Sequence, residues 1–201
     1  TSGGRNRLSF TADLPALGYR VYHVAPNVTR PEPPADLQAS DTVLENRRFR
    51  LTIDPATGFI QSLYDKLADT EAFSGDSAAP VVVEDRSDTW SHNVFSFRQQ
   101  AGVFKATSIR VVERGPVRSV IRVVSEYGRS RLVQDFTLYA DLDYVDVRVT
   151  VDWQEEFKAL KLRFPVNVHF HRVTHEIPYG SVDRFANGEE EPGQSWVDVS
   201  G

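Results

Sequence analysis

The chain has 201 residues, of which 40% are hydrophobic and 25% are charged, and its formal net charge at pH 7 is −5. This composition is typical of a soluble globular protein with one sizeable domain, or with one domain and part of another. The acidic balance argues against a nucleic-acid partner, and no apolar run approaches the ~20 residues of a membrane-spanning helix.

Two residue types are missing altogether, cysteine and methionine. Without cysteine, the chain has no disulfide and no thiolate metal ligand. Because an open reading frame begins with methionine, we expect this chain to be part of a longer polypeptide. No signal sequence is recognisable at its start, so we expect a cytoplasmic location.

The first 42 residues divide into a predicted hairpin and a linker. Residues 8–14 and 19–24 are alternating runs joined by Pro15-Ala16-Leu17-Gly18, a pattern typical of two paired strands. Residues 26–42 contain four prolines and little apolar content. Since X-Pro bonds disfavour helix, this segment is predicted to be an extended linker.

Residues 44–73 carry the clearest hairpin pattern in the chain. Phe49, Leu51 and Ile53 alternate with polar residues, which predicts a half-buried strand. In Asp54-Pro55-Ala56-Thr57-Gly58, proline presets the turn and Gly58 supplies a positive φ, as in a bulged hairpin loop. A lone hairpin is marginal in water, so a larger sheet must continue from it.

The following segments predict an all-β fold. A short apolar strand is expected at residues 80–84, and four longer strands at 103–113, 117–127, 131–139 and 144–152. Gly115-Pro116, Gly128 and the acidic run 141–143 supply turns between them. Short strands at regular spacing are typical of an antiparallel sandwich or barrel.

The remaining third is predicted to continue the sheets. Residues 154–162 have helical spacing, but nine residues are too few for a helix that is stable alone. Further strands are predicted at 166–173, 176–184 and 195–199, with a Gly/Glu-rich loop at 187–193. The strand at 195–199 is expected to have no partner following it.

One pattern of histidines is compatible with a metal-binding site. On a strand, His169 and His171 would share a face, with His175 or Glu176 as a third ligand of a zinc site. Since a histidine pair without a located third ligand is a weak signal, we favour the alternative that both face solvent.

The stretch whose side chains are best suited to bind a ligand is Ser87-Asp88-Thr89-Trp90-Ser91-His92-Asn93. A tryptophan offers a flat apolar face on which a sugar ring can stack, while Asp88 and His92 offer hydrogen-bonding groups for hydroxyls. On the residues alone we favour the alternative that Trp90 fills the core and Asp88 caps a turn.

Five blocks in order resemble the C-terminal β-domain of glycoside hydrolase family 38, the α-mannosidases. They are LENRRFRLTIDPATGFIQSLYDK, SDTWSHNVFSF, VTVDWQEEFKALKLRFPV, HEIPYGSVDR and QSWVDVSG. The resemblance implies a large antiparallel β-sandwich, a supersandwich like that of galactose mutarotase, at residues 43–201 and truncated at its C-terminal end. Residues 1–25 would end a preceding small β-sandwich, and residues 154–162 would form a strand–turn–strand rather than a helix.

The resemblance also implies a function for the whole enzyme. The parent would be a retaining α-mannosidase whose carboxylate nucleophile and metal ion, zinc or another divalent cation, lie in an N-terminal catalytic domain. No catalytic residue, metal ligand or cofactor is assigned to this chain. Asp88, Trp90 and His92 are expected to line the edge of the mannoside site, so the expected partners are the catalytic domain and the mannoside.

Two other functions stay open from the sequence. The chain could be a carbohydrate-binding module that uses a concave sheet face. It could also be an epimerase or lyase on a mutarotase-like fold, for which His169, His171 and Glu176 are the candidate catalytic residues.

Overall fold

The computed structural model describes residues 8–25 and 36–201. Within these ranges all regular structure is β, and fifteen strands form four antiparallel sheets, which confirms the predicted all-β class. In chain order the strands are β1 (Gln38–Ala39), β2 (Val43–Glu45), β3 (Phe49–Ile53), β4 (Ile60–Asp65), β5 (Thr70–Glu71), β6 (Ala79–Glu84), β7 (Gln100–Val103), β8 (Lys105–Arg114), β9 (Arg118–Tyr127), β10 (Ser130–Tyr139), β11 (Val145–Asp152), β12 (Lys158–Arg163), β13 (Arg172–Ile177), β14 (Gly180–Arg184) and β15 (Val197–Ser200).

The first sheet contains β1 to β5 in chain order, and β3 and β4 are the arms of the predicted hairpin. The Gly58 N–H donates to the Asp54 carbonyl at 2.8 Å, and the Asp54 N–H donates to the Phe59 carbonyl at 2.9 Å. Gly58 has a φ of +76°, and a bulge lies between Thr52 and Ile53. The bulged loop with a positive-φ glycine is therefore confirmed.

The second sheet has the order β11-β10-β9-β8 and supplies one side of the sandwich core. Ile121 and Val123 of β9 and Phe136 and Leu138 of β10 face inward and are fully buried. They pack against three residues of the first sheet, Leu44, Leu51 and Ile53. Alternate side chains of the same strands lie on the outer face, as the pleat of a strand requires.

The third sheet, β12-β6-β7, covers the other end of this inner face. Val82 of β6 packs with Leu132 of β10 and with Phe104, which lies between β7 and β8. The opposite side of β6 is also covered, because Val81 and Val83 pack with Phe59. A strand buried on both faces is expected to be a continuous apolar run, which is what residues 80–83 are.

A polar side chain joins these layers inside the core. Gln134 of β10 is 0% exposed, and its Nε2 donates to the Ala78 carbonyl at 2.9 Å. Ala78 lies just before β6 and has a φ of +53°. The hydrogen bond therefore fixes the backbone from which β6 starts, and it satisfies a carbonyl that would otherwise be buried alone.

The last sheet, β14-β13-β15, differs from the sequence prediction. Residues 176–184 were predicted as one strand, but Pro178 and Tyr179 form the turn of the β13–β14 hairpin. The predicted strand at 166–173 is also wrong, since only an isolated bridge at Val166 precedes β13. The strand predicted at 195–199 corresponds to β15, which pairs with the preceding strand β13 from Arg172 to His175.

The segment 8–25 reverses direction without forming strands. The Gly18 N–H donates to the Pro15 carbonyl at 3.2 Å, and the rings of Phe10 and Tyr22 lie 5.0 Å apart. The turn is as predicted, but the paired strands are wrong, because an uncovered hairpin gains little from pairing. Residues 1–7 of the predicted small sandwich and 26–35 of the predicted linker lie outside the described residues, and 38–39 of that linker form β1.

Between the second and third sheets, the segment 154–162 is not helical. Residues 153–157 connect β11 to β12, which confirms strand–turn–strand. Glu155 explains this locally, because its Oε1 accepts hydrogen bonds from the Arg129 N–H at 2.9 Å and the Ser130 hydroxyl at 3.1 Å. The carboxylate thus joins this connection to the β9–β10 turn.

Gly58→Ala is expected to destabilise the fold by about 1–3 kcal/mol, since a side chain at this φ is strained. A Cβ there would also lie 2.6 Å from Val123 Cγ1 in the core. Gly180→Ala is the matched control, because its Cβ would meet nothing within 4 Å. Urea unfolding should separate the two variants, and equal midpoints would contradict this account of the turn.

Candidate functional site

The loop at residues 85–99 between β6 and β7 is organised by Asp88. Its Oδ1 accepts hydrogen bonds from the backbone N–H groups of Trp90 (3.0 Å) and His92 (3.2 Å). Its Oδ2 lies 2.6 Å from His92 Nδ1. Ser91 and Asn93 have φ angles of +52° and +59°, so two tight bends turn the backbone around this carboxylate.

These contacts control the charge of Asp88. The His92 side chain and then the His92 backbone N–H stabilise the carboxylate and hold the pKa of Asp88 below its ordinary value. Hydrogen bonds to the charged form have this effect generally. Asp88 is therefore an ionised acceptor near neutral pH.

Trp90 does not fill the core, contrary to the interpretation favoured from the sequence. Its side chain is 81% exposed. The apolar space beside β6 is taken instead by Phe97 from the same loop, which packs against Ala79, Val81 and Val83. The indole face is consequently available to a ligand or another protein surface.

Beside this loop lies an open cleft of about 670 Å³. The structure brings Asp88 and His92 together on its wall, while Trp90 lies on the loop outside the wall. The lining residues are Glu84, Arg86, Ser87, Asp88, His92, Val94, Ser96, Phe97, Arg98 and Gln99. Donors and acceptors therefore alternate along one contiguous stretch of chain.

A second loop, residues 187–193, contacts two residues of the cleft lining, Phe97 and Arg98. Glu190 accepts a hydrogen bond from the Phe97 N–H at 2.6 Å and forms an ion pair with Lys161 of β12. Partial burial raises the pKa of Glu190, but Lys161 and the Phe97 amide outweigh it and leave the pKa below its ordinary value. Arg98 donates to the Gly188 carbonyl at 2.7 Å.

Sequence reasoning predicted the loop 187–193 but did not place it beside the cleft, and it missed most of the lining residues. Arg86, Phe97 and Arg98 belong to the loop 85–99, so their proximity to Asp88 along the chain was a usable signal. No such signal existed for Glu190, which is 93 residues from its partner Phe97. Its role depends on how the third and fourth sheets meet.

The histidine cluster suggested by the sequence does not form. His169 and His171 lie in an exposed bend before β13, and Phe170 between them has a φ of +54°. Glu176 lies in β13, where its Oε2 accepts a hydrogen bond from the Ser195 N–H at 2.6 Å. Since the two histidines are not on a strand, their predicted common strand face is wrong.

Across residues 8–25 and 36–201, no group of three His, Cys, Asp or Glu side chains is placed to hold a metal ion. In the same ranges no helix is long and apolar enough to cross a membrane.

Comparisons with known proteins find sequences similar to this chain among the alpha-mannosidases. Alpha-mannosidase G of Dictyostelium discoideum is 25% identical over a 182-residue alignment that covers 81% of this chain and 17% of that protein. Alpha-mannosidase 2C1 of Homo sapiens is 27% identical over a 195-residue alignment that covers 90% of this chain and 18% of that protein. The chain therefore spans less than a fifth of the length of these relatives.

A solved structure shares the fold. The crystal structure of an alpha-mannosidase from Enterococcus faecalis V583 superposes with a TM-score of 0.65, covering 81% of this chain and 22% of that one at 13% identity. The family model described as the glycosyl hydrolases family 38 C-terminal domain matches residues 44–201. The four-sheet antiparallel body and this match together show that the chain belongs to the glycosyl hydrolase family 38 C-terminal domains.

Proposed function

We propose that this chain is the non-catalytic β-domain of an α-mannosidase, and that its loop 85–99 binds the mannoside beside a separate catalytic domain. The observation that carries the proposal is the loop itself. An exposed indole stands next to a carboxylate–imidazole pair whose geometry is set by three contacts to Asp88. Apolar ring faces and hydroxyls of a sugar need this combination of groups.

The electrostatics support binding rather than catalysis by this loop. A general acid of a glycosidase needs a carboxyl that keeps its proton near neutral pH, which requires a raised pKa. The pKa of Asp88 is lowered instead. Retaining hydrolysis also requires a second carboxyl about 5 Å away on the other side of the glycosidic bond. We propose that the reacting carboxylates lie in the catalytic domain, together with the zinc or other divalent ion that the family resemblance implies.

Exposed aromatic residues support contact with such a domain. Phe157, Phe170 and Tyr179 are largely or fully exposed, and each has a φ between +53° and +66°. Left-handed backbone is unfavourable for bulky residues, and an exposed ring gains nothing from burial. Two unfavourable features at the same three positions are accounted for if these rings pack against another part of the polypeptide.

In the full-length enzyme, Trp90→Ala should raise KM for an aryl mannoside about 2- to 13-fold with little change in kcat, the effect of losing about 0.5–1.5 kcal/mol of ring contact. His92→Ala should also raise KM, because it removes a hydrogen-bonding group from the cleft. Trp196→Ala, at the residue directly before β15, is the control and should leave KM unchanged. Unaltered kcat and KM in both loop variants would contradict the proposed binding role.

The 201-residue chain alone should not hydrolyse an aryl α-mannoside, because the proposed catalytic carboxylates are not part of it. The assay is release of the aryl alcohol from highly concentrated purified chain. Turnover that disappears in the Asp88→Asn variant would show that this chain has its own catalytic carboxylate.

Acidification should weaken the hydrogen bonds that the Asp88 carboxylate accepts within the loop 85–99. Since the pKa of Asp88 is lower in the folded loop than in an unfolded chain, its stabilising contribution is complete above the unfolded value of about 3.9. That contribution is lost as the pH falls through the lowered folded value. Backbone amide NMR signals of Trp90 and His92 should therefore shift below about pH 4. The same acidic transition in Asp88→Asn would refute this assignment.

A further inference from the structure

A second cleft lies on the outer face of the β8–β11 sheet, away from the loop 85–99. Its volume is about 650 Å³, and it shares no lining residue with the first cleft. The lining residues, drawn from all four strands, are Val112, Glu113, Arg118, Val120, Arg122, Asp135, Thr137, Asp146 and Arg148.

This surface is concave, unlike an ordinary polar sheet face. Val120 and Thr137 are opposite each other on β9 and β10 and belong to the outer face, yet they are only 5% and 6% exposed. Longer charged side chains surround them and form walls. The two short side chains are therefore the floor of a depression.

Two of the walls are bidentate ion pairs. Arg122 Nε and Nη2 donate to the two carboxylate oxygens of Asp135 at 2.6 and 2.7 Å. Arg118 makes the same arrangement with Glu113 at 3.0 and 3.1 Å. Such pairs hold their groups in fixed geometry. Arg118 also makes a side-chain hydrogen bond with Tyr139, whereas Arg122 keeps one guanidinium nitrogen, and both carboxylates keep lone pairs, for a ligand.

The remaining wall is unpaired. Asp146 and Arg148 are two residues apart on β11, so they share the outer face. Neither side chain forms an ion pair or a side-chain hydrogen bond within the part of the chain that the structure describes, and both residues are exposed. The Asp146 carboxylate, which accepts hydrogen bonds, and the Arg148 guanidinium, which has five N–H donors, therefore lie side by side at the cleft.

The charge balance indicates the class of ligand. Three arginines face three carboxylates, so the lining has no net charge and favours neither an anion nor a cation. Alternating donors and acceptors match hydroxyl groups, each of which donates and accepts. We propose that this cleft is a second saccharide-binding site, separate from the loop. The choice of mannosides as ligands rests on the proposed function.

An NMR titration of the 201-residue chain with methyl α-mannoside and with mannobiose tests the site. We expect shifts in backbone amides of β9, β10 and β11 around Thr137 and Arg148. The Asp146→Asn, Arg148→Gln double variant should weaken this binding about tenfold, the effect of losing about 1.4 kcal/mol of charged hydrogen bonding. Both positions are exposed, and an unchanged unfolding midpoint will show that the variant is folded.

Arg131→Gln is the matched control. Arg131 lies on the same face of β10, opposite Glu126 and Asp152 and outside the cleft, so its variant should bind normally. Shifts confined to residues 85–99 would overturn the second site and leave the proposed function intact. Shifts at the cleft with inorganic phosphate, but not with sugar, would also overturn it, and so would equal affinity in the double variant.

Discussion

The structure depends on the two-residue alternation of the four long strands β8 to β11. One set of side chains, including Ile121, Val123, Phe136 and Leu138, is removed from water by two other sheets. The other set is thereby forced outward, where Arg122 and Asp135 form the wall of a cleft. Since a shift of register by one residue would exchange these faces, the core and the outer cleft are specified together.

This constraint also positions the first cleft. β6 can be apolar on both faces because the second sheet covers one side, while Phe59 and Phe97 cover the other. Its end is consequently a rigid point from which the loop 85–99 leaves the body. Gln134 fixes the start of the same strand through the Ala78 carbonyl. A polar loop on a rigid support is where binding residues are commonly found.

The exposed rings complement this arrangement. Within the described residues, the interior holds its aromatic residues in clusters such as Phe104 with Tyr127 and Trp153. Trp90, Phe170 and Tyr179 belong to a different class, since they project from turns and from the loop between sheets. Each of these rings leaves apolar surface in contact with water, which burial would remove.

The amino-acid sequence by itself determined the all-β class, the Asp54–Gly58 turn and the four long strands, because alternation and turn chemistry are local properties. It also indicated the stretch containing Asp88 and His92, since hydrogen-bonding residues close in the chain can meet without help from the fold. Only the tertiary structure decided that Trp90 is exposed and that Phe97 packs beside β6. It likewise decided that Glu190 meets Lys161 and that His169 and His171 lie in a bend. Those outcomes depend on how separate sheets pack, which is a property of contacts distant in the chain.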